Sequence, residues 1–427
     1  MTYMRILSSS VETFPVKHRN SGASRTVRVA AALVLASVMM AGPVEAQTWS
    51  QRTSNTAQNL VAVVYSTAGT AAAVGANTAI TVSGDGGSTW TDKNLGLAAT
   101  LNAVFSNGVN IATVGDDQGG GANEVTAASA DRGATWALTV EPGNDDNIED
   151  GLFVNSTNGV AVVSSGTGAI LNSSDSGGSW TVNAYVPADF LQAVDSRGTL
   201  VIAVGNDAGG IPTIARSSDS GVTFVAATSA PVTNEILRDV VVVSTTDAVA
   251  VGGGTGGTPD NILYSSNAGV DWTNPFDAAD NQNAVDASSS FVVAVGDNGT
   301  ISRSIDGGAT WAAVVGGANP APPTNLNDVL FLTSSILLAV GDGGLIIGST
   351  DRGVTWTAQN SGVNENLQRI AYNGLTKTLV VGNAGTILLS LNQISVTAPI
   401  PFQSKWLLVG LLLAAGLLAL RRYGPAR

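Results

Sequence analysis

The chain contains no cysteine, and its single histidine, His18, lies near the N-terminus. The lack of cysteine excludes a disulfide-held fold and all thiolate chemistry. From residue 47 onward there is neither His nor Cys, so His- or Cys-ligated zinc, Ser-His-Asp triads and Cys-His pairs are excluded there. Charged residues make up only 12% of the chain, and no long segment between the two ends shows the 3.6-residue period of an amphipathic helix.

The charge that is present is strongly acidic. Residues 47–404 hold 30 of the 32 acidic side chains but only 10 of the 19 basic ones, a net charge of −20. Such a surface repels nucleic acid and anionic lipid headgroups, keeps an exported protein soluble, and suits a basic or cation-bridged partner. We therefore expect no nucleic-acid partner.

The N-terminal residues 1–46 have the composition of a secretory signal peptide with a long n-region. Arg25 and Arg28 precede an apolar run over residues 29–40, and small residues follow up to Ala46. A transmembrane anchor is the weaker alternative, because the run is short and a Gly-Pro helix breaker follows it. Cleavage after Ala46 would begin the mature chain at residue 47.

The C-terminal residues 406–422 predict a transmembrane helix with an Arg-Arg stop. Fifteen uncharged residues, Trp406 to Leu420, precede Arg421 and Arg422. At about 1.5 Å per residue the run is roughly 22 Å long, short of the ~30 Å hydrocarbon core. Arginines favour the cytoplasmic side, which leaves the body of the chain outside the cytoplasm.

The segment before this helix, residues 391–405, reads as a linker that ends in a motif. It resembles the IPTL-type C-terminal sorting tails of Gram-negative bacteria, with Phe402 and Gln403 in place of Thr and Leu. The resemblance implies a cell-envelope location, either anchored in the inner membrane on the periplasmic side or sorted to the surface by processing of the tail. The matching residues are Ile400, Pro401, Ser404 and Trp406.

Between the two ends, an octapeptide of the pattern S-x-D-x-G-x-T-W recurs seven times. Its aromatic residues follow one another at intervals of 39–48 residues. The third and eighth residues of the seven copies are Asp85 and Trp90, Asp131 and Trp136, Asp175 and Trp180, Asp219 and Phe224, Asn267 and Trp272, Asp306 and Trp311, and Asp351 and Trp356.

Each copy stands in a larger repeat with two more patterns. A strand of the pattern L-x-x-V opens most repeats, and a Val-Gly pair ends the second strand, with Gly166 taken as the corresponding glycine of the third repeat. In the seventh repeat the strands read LNDVLFL, SILLAVG, GLIIGS and VTWTAQ. Four short strands per ~45 residues is the blade of a β-propeller, and burial of both sheet faces explains the continuous apolar runs.

An eighth repeat, Leu367 to Ser390, has three strands and no octapeptide. The missing strand is predicted at the other end, because Thr48-Trp49 and the residues after it parallel Thr355-Trp356 and the residues that follow. The predicted fold is therefore all-β, a single propeller over residues 47–390 with four-stranded blades. Eight blades are favoured, and seven is the alternative.

The residue pattern of the octapeptide is explained by the requirements of a tight turn. Ser, Thr and Asp side chains bond the backbone of a tight turn, glycine takes positive φ, and the aromatic ring packs beneath. A feature repeated around the ring indicates folding in preference to seven binding sites. It resembles the BNR/Asp-box, and residues 48–390 are similar to the photosystem II assembly factor-like (YVTN/BNR-like) propellers. That resemblance implies an exported propeller that serves as a protein-binding scaffold; the photosystem role itself is not expected here.

An enzyme is the alternative to a scaffold. The arginine triad of a sialidase is not evident. The third position of the first strand, expected near the ring axis, could gather carboxylates for a glycan-active hydrolase, or those aspartates could bond the next blade. An acidic loop over residues 145–150 lacks the spacing of a calcium loop. The candidate axial residues are Asp150, Asp239, Asp328 and Arg369.

The sequence thus predicts a non-enzymatic scaffold that binds a protein or a glycan through the loop face of the propeller. A glycan-active hydrolase with axial carboxylates is the alternative. We expect no cofactor and no metal, a membrane contact through the C-terminal helix alone, and a monomeric ectodomain.

Overall fold

The computed structural model describes residues 48–67, 69–117, 123–142, 147–164, 169–183, 189–229, 235–254, 262–315 and 324–391. The signal peptide, the linker, the sorting motif and the C-terminal helix predicted from the sequence lie outside these residues. Within them, no helix is long and apolar enough to cross a membrane.

The described chain is all-β, and its strands form four-stranded antiparallel repeat units. Six sheets have four strands each, and one sheet of eight strands consists of two such units joined by the single pair Ser164 and Phe190. Each unit is numbered from 1 to 8 along the chain, and its strands 1 to 4 follow one another in sequence. Unit 8 is the exception, because its fourth strand comes from the N-terminus.

The strands of units 1 to 4 are, in chain order after β1 (Ser50–Arg52): β2 (Leu60–Thr67), β3 (Thr70–Gly75), β4 (Ile80–Ser83) and β5 (Thr91–Asp92) in unit 1; β6 (Ala99–Ser106), β7 (Ile111–Asp117), β8 (Asn123–Ser129) and β9 (Ala137–Pro142) in unit 2; β10 (Asn147–Phe153), β11 (Gly159–Ser164), β12 (Ala169–Ser173) and β13 (Thr181–Val182) in unit 3; β14 (Asp189–Arg197), β15 (Leu200–Asp207), β16 (Pro212–Ser217) and β17 (Val225–Ala226) in unit 4.

Those of units 5 to 8 are β18 (Glu235–Val242), β19 (Ala248–Gly254), β20 (Ile262–Ser265) and β21 (Thr273–Phe276) in unit 5; β22 (Gln282–Ser288), β23 (Phe291–Gly296), β24 (Ile301–Ser304) and β25 (Trp311–Ala313) in unit 6; β26 (Leu326–Phe331), β27 (Leu337–Gly341), β28 (Ile346–Ser349) and β29 (Thr357–Gln359) in unit 7; β30 (Leu367–Tyr372), β31 (Thr378–Gly382) and β32 (Thr386–Ser390) in unit 8. Short 3₁₀ turns link strands 2 and 3 in four units: Ala76–Thr78, Asp297–Gly299, Asp342–Gly344 and Asn383–Gly385.

The N-terminal strand completes unit 8, as the sequence predicts. Strand β1 pairs antiparallel with β32, with Ser50 opposite Leu389. Trp49, just before it, packs against the apolar cluster between units 7 and 8, and its Nε1 donates to Gln359 Oε1 at 2.7 Å. The two ends of the repeat array are therefore joined through one sheet.

Apolar side chains fill the space between neighbouring sheets. Strand 2 is buried along its whole length in β27 and β31, because residues on both of its faces pack against other units. Eight separate apolar clusters are present among the described residues. Seven lie between successive units, and the eighth joins unit 8 to unit 1 through residues such as Leu379 and Ala73.

The Val-Gly pair of the repeat is explained by a bulge in strand 1. The register of every strand 1 shifts directly after the first residue of the L-x-x-V pattern or its equivalent, for example between Leu326 and Asp328. In unit 7 the bulge brings the carbonyl oxygen of Asn325 to within 2.0 Å of the place where a Cβ on Gly341 would lie. In the seven units that carry this glycine, it is required because the strand 1 backbone occupies the volume of a side chain.

One detail of the expected pattern is wrong. The register pairs Ile148, at the start of strand 1 in unit 3, with Val163. The residue of unit 3 that corresponds to the glycines is therefore Val163, not Gly166, which lies outside the described residues. The sequence spacing misled because the link between strands 2 and 3 differs in length from unit to unit.

Each sheet has two ends. The box end carries the octapeptide hairpins between strands 3 and 4, together with the turns between strands 1 and 2. The loop end carries the turns between strands 2 and 3 and the connections from each strand 4 to the next strand 1.

Candidate functional site

Each octapeptide, or Asp box, satisfies its own polar groups. In the box of unit 7, Ser349 Oγ donates to Asp351 Oδ1 at 2.9 Å and accepts from the amide of Gly353 at 2.9 Å. The amide and hydroxyl of Thr355 donate to Asp351 Oδ1 and Oδ2 at 2.9 and 2.6 Å. Trp356 Nε1 donates to the carbonyl of Gly353 at 3.1 Å.

The other Asp boxes repeat most of this pattern. Five of the seven aromatic residues are buried: Trp90, Trp180, Phe224, Trp272 and Trp356. In unit 2, hydrogen bonds from Thr135 and Ser129 lower the pKa of Asp131 to about 2. These bonds close the turn of the hairpin, which is a structural role for the carboxylate.

The box of unit 5 achieves the same bonding with its polarity reversed. Asn267 stands in the place of the aspartate, and Asp271 in the place of the threonine. Asn267 Nδ2 donates to Asp271 Oδ2 at 3.0 Å, while the amide of Asp271 donates to Asn267 Oδ1 at 2.9 Å. The donor and the acceptor of the side-chain bond have exchanged positions, the backbone bond keeps its direction, and the turn stays satisfied.

The three candidate axial aspartates do lie on equivalent strands, and each bonds the next unit. Asp150 Oδ2 accepts from the backbone amide of Val194 at 3.0 Å. Asp239 Oδ2 accepts from the amide of Val285 at 2.8 Å, and Asp328 Oδ2 accepts from that of Ile370 at 2.7 Å. This is the bonding expected if these aspartates hold neighbouring units together.

Sequence reasoning missed two further aspartates in the same system. Counted from the first residue of the L-x-x-V pattern or its equivalent, Asp195 and Asp286 occupy the fifth position of strand 1 in units 4 and 6. Asp195 Oδ2 accepts from the amide of Val242 at 2.6 Å, and Asp286 Oδ2 accepts from that of Phe331 at 2.6 Å. Since side chains alternate along a strand, positions three and five share one face. The repeated Ala-Val-Asp of both strands was the pattern that could have revealed them.

Together the five aspartates link six successive first strands, from β10 to β30. The bonding residue alternates between position three and position five from one unit to the next. The side chains also interact electrostatically across units, since Arg369 of unit 8 is attracted to Asp328, Asp239 and Asp150. We call this set the first-strand carboxylates: Asp150, Asp195, Asp239, Asp286 and Asp328.

Burial is the largest influence on the pKa values of this set. It raises the pKa of Asp195 to about 6 and the pKa values of Asp239 and Asp286 to about 7, while the backbone hydrogen bonds oppose the shift. The pKa values of Asp150 and Asp328 are raised for the same reason. Burial and the charges of Asp116 and Asp150 likewise raise the pKa of the neighbouring Glu149 to about 7.

The remaining sequence candidate, Arg369, contacts one carboxylate directly. Its Nη1 lies 3.6 Å from Asp328 Oδ1, and its side chain is 48% exposed against 13% for the aspartate. About half of the Arg369 side chain is exposed, so water reaches the guanidinium. The pair is therefore not in a dry core.

Chemically, the first-strand carboxylates are committed to the backbone. No group of three His, Cys, Asp or Glu residues in the described part of the chain is arranged to hold a metal ion. Of the acidic segment 145–150, Asp145 and Asp146 lie outside the described residues, and Asp150 belongs to β10.

Comparison with known proteins bears on the fold. No protein-family model matches this chain, and no curated protein does either. Among solved structures, a YCF48 bound to D1 peptide is similar over 84% of this chain and 99% of its own, at 16% identity and a TM-score of 0.55. YCF48 from Cyanidioschyzon merolae is similar over 81% of this chain and 99% of its own, at 15% identity and a TM-score of 0.55.

A third structure, Sqt1 of Chaetomium thermophilum, is similar over 81% of this chain and 98% of its own, at 12% identity and a TM-score of 0.58. YCF48 and Sqt1 are both β-propellers. At these identities the likeness concerns the fold alone. The chain has the β-propeller fold, and it is similar in that fold to YCF48.

Proposed function

We propose that this chain is an exported, eight-bladed propeller that acts as a non-enzymatic scaffold and binds a protein or a glycan at its loop end. The eight apolar clusters support the blade count, because the last of them lies between units 8 and 1. The pairing of β1 with β32 supports it too, since it supplies the fourth strand of unit 8.

The observation that carries the scaffold function is the bonding of the first-strand carboxylates. A general acid and a nucleophile must each present an oxygen to the substrate. Here Asp239 and Asp328 each use one oxygen on an amide of the next unit and the other on an amide of their own strand. Their bonding serves the joints between units.

The loop end offers a rigid polar surface for a partner. Asn325, Asn366 and Asn59 precede the first strands of units 7, 8 and 1, and the Oδ1 of each accepts an amide from the 3₁₀ turn of the unit before. The donor–acceptor distances are 3.3, 3.0 and 3.0 Å. Because these turns are already fixed, binding there costs little ordering entropy. The YCF48 structure with a bound D1 peptide supports a peptide-binding role for such a propeller.

We further propose that the chain is delivered to the envelope of a Gram-negative bacterium and held by its C-terminal helix or sorted through its tail. This part rests on the residues before Ala46 and after Ile400. Mass spectrometry of the mature protein tests it. A C-terminus that ends at Arg427 would exclude cleavage of the tail and leave anchorage alone.

Site-specific photo-crosslinking in cells tests the scaffold. A benzoylphenylalanine placed at Asn298 or Asn364, both exposed at the loop end, should give adducts with a macromolecular partner. The same probe at Ala134, exposed at the box end, is the control and should give none. Absence of adducts at all three positions, or equal yields at all three, would contradict the proposal.

One observation favours the hydrolase as a second candidate. The raised pKa values of Asp239 and Asp286, about 7, are those that a general acid needs near neutral pH. A panel of glycosidic substrates distinguishes the two functions. Turnover that is abolished by Asp239→Asn and Asp328→Asn would establish the hydrolase and exclude the non-enzymatic scaffold.

A further inference from the structure

Two arginines meet on one phenylalanine ring at the box end of units 6 and 7. Phe291 begins β23, and Arg303 lies in the adjacent strand β24, opposite Val293. Arg352 belongs to the Asp box of unit 7. The Cζ atoms of Arg352 and Arg303 lie 4.5 and 5.7 Å from the centre of the Phe291 ring. We call these two residues the arginine pair.

Both side chains are anchored by their ε nitrogens. Arg303 Nε donates to the carbonyl of Arg352 at 2.5 Å, and Arg352 Nε donates to the carbonyl of Ser334 at 3.4 Å. Within the described part of the chain, neither arginine forms an ion pair with a carboxylate. The nearby Asp351 is occupied by Ser349 and Thr355 of its own box. The terminal nitrogens of both guanidinium groups therefore remain for a ligand.

Only half of this arrangement is needed for the fold. At the corresponding joint between units 4 and 5, Arg216 Nε donates to the carbonyl of Ala268 at 2.8 Å, which reproduces the bond of Arg303. Alanine there takes the place of Arg352, so the joint forms without a second arginine. Arg352 adds a positive charge beside another one and contributes nothing that the joint requires.

The charge balance of the chain makes this placement of two arginines unusual. The body of the chain has only ten basic residues against thirty acidic ones, and two of the ten are neighbours here. Burial lowers the pKa of Arg303, the negative charge of Asp351 opposes this shift, and the positive charge of Arg352 adds to it. A bound anion would add to the attraction of Asp351 and reduce the repulsion between the two arginines, and arginine forks match a carboxylate in shape.

Apolar surface lies close to the pair along the chain. Ile305 and Val354 each follow one of the arginines by two residues and are 56% and 48% exposed. Continuation of the β23–β24 register places Ile305 opposite Phe291. A free inorganic anion gains nothing from such residues, whereas a polypeptide can place an aliphatic side chain on them.

We propose that the arginine pair is a docking point for a carboxylate of an acidic polypeptide segment, whose apolar neighbours rest on Ile305 and Val354. The site lies at the box end, so it is separate from the loop-end surface proposed above and stands or falls independently of it. The arginine pair attracts the acidic segment, whereas the net negative charge of the rest of the body repels it. The contact is therefore confined to the arginine pair and its apolar neighbours.

Fluorescence anisotropy with the full chain in mild detergent tests the proposal. The probe is a fluorescein-labelled peptide of alternating Glu and Leu, and a peptide of alternating Lys and Leu controls for charge. Arg352→Gly should raise the Kd of the acidic peptide at least tenfold, and Arg303→Gln should do the same. The glycine is safe for folding, because Gly86 and Gly307 occupy this place in the boxes of units 1 and 6.

Arg132→Gly is the matched control. Arg132 has the same box position and the same left-handed backbone as Arg352, and its replacement should leave the Kd unchanged. Equal weakening by Arg132→Gly, or no binding of the acidic peptide by the unmodified chain, would overturn the proposal. Displacement of the peptide by inorganic phosphate at an equal concentration would also overturn it, because a free anion would then be the ligand.

Discussion

The carboxylate of Asp328 accepts a 2.7 Å hydrogen bond from the backbone amide of Ile370, in the first strand of the next unit. The same carboxylate accepts from the amide of Val329 at 3.0 Å. One side chain thus accepts hydrogen bonds from two buried amides and fixes the spacing of two strands. Four other aspartates make the corresponding bond between earlier units. Carboxylates therefore join the first strands of neighbouring units, where an apolar side chain would leave these amides without an acceptor.

Removal of this carboxylate should destabilise the protein. Asp328→Ala leaves two amides without an acceptor, at a cost of about 1–3 kcal/mol each, and part of that is returned because a buried charge is lost. We expect a net loss of about 2 kcal/mol in the free energy of unfolding, measured by urea denaturation. Asp328→Asn keeps an acceptor oxygen and should lose less than half as much. Asp277→Ala, at an exposed position, is the control and should change stability by less than about 0.5 kcal/mol.

Stability should rise as the pH falls from 8 to 5. The folded-state pKa values of Asp195, Asp239 and Asp286 are about 6, 7 and 7, above the unfolded value of about 3.9. Between the two values the folded state binds more protons than the unfolded state, so each group destabilises the fold increasingly as pH rises through this window. Thermal unfolding at a series of pH values measures the slope.

The variant Asp286→Asn isolates one group of this set. The asparagine side chain stays neutral at every pH. The change in stability between pH 5 and 8 should therefore be smaller than in the unmodified protein. Below about pH 4 the sign reverses, because the lowered pKa of Asp131, about 2, reflects bonds that protonation breaks. A stability that is flat from pH 5 to 8 would contradict the assignment of raised pKa values to the first-strand carboxylates.

The repeat pattern made most of the fold predictable, and the failures have physical causes. Octapeptide spacing predicts the units because each box is a local turn that satisfies itself. The role of Thr48-Trp49 was also predictable, since the strand that follows parallels the one after Trp356. Asp195 and Asp286 were missed because their role depends on which residues share a face beyond the bulge of strand 1. Arg303 and Arg352 are 49 residues apart in the chain and belong to different units. No local sequence pattern indicates their contact.

Gly341→Ala should be strongly destabilising although the residue lies in regular extended backbone. A Cβ at this position would lie 2.0 Å from the carbonyl oxygen of Asn325, which directly precedes strand β26 and is held by the hydrogen bond that it accepts from the amide of Asp342. We expect a loss of about 3 kcal/mol in urea denaturation, at the upper end for an overpacked core. Gly84→Ala is the control, because a Cβ there would meet nothing within 4 Å. Equal effects of the two substitutions would show that the bulge in strand 1 is not the reason that glycine is needed at this position.

The reversed Asp box of unit 5 can be tested by a double-mutant cycle. Asn267→Asp alone would place two carboxylates where Asn267 Nδ2 now donates to Asp271 Oδ2 at 3.0 Å. Loss of that bond and repulsion at an exposed site should cost about 1 kcal/mol. Adding Asp271→Thr restores the arrangement of the other boxes and should recover most of the loss, although it removes the acceptor of Ser229 Oγ.

Urea denaturation of the two single variants and the double variant gives the coupling free energy. A double variant more stable than Asn267→Asp alone is the expected outcome, with a coupling of about 1 kcal/mol. The same pair of changes in the box of unit 7, Asp351→Asn with Thr355→Asp, is the reciprocal test and should form a reversed box there. If the losses simply add in unit 5, the exchange of donor and acceptor is not what satisfies the turn, and the two residues act independently.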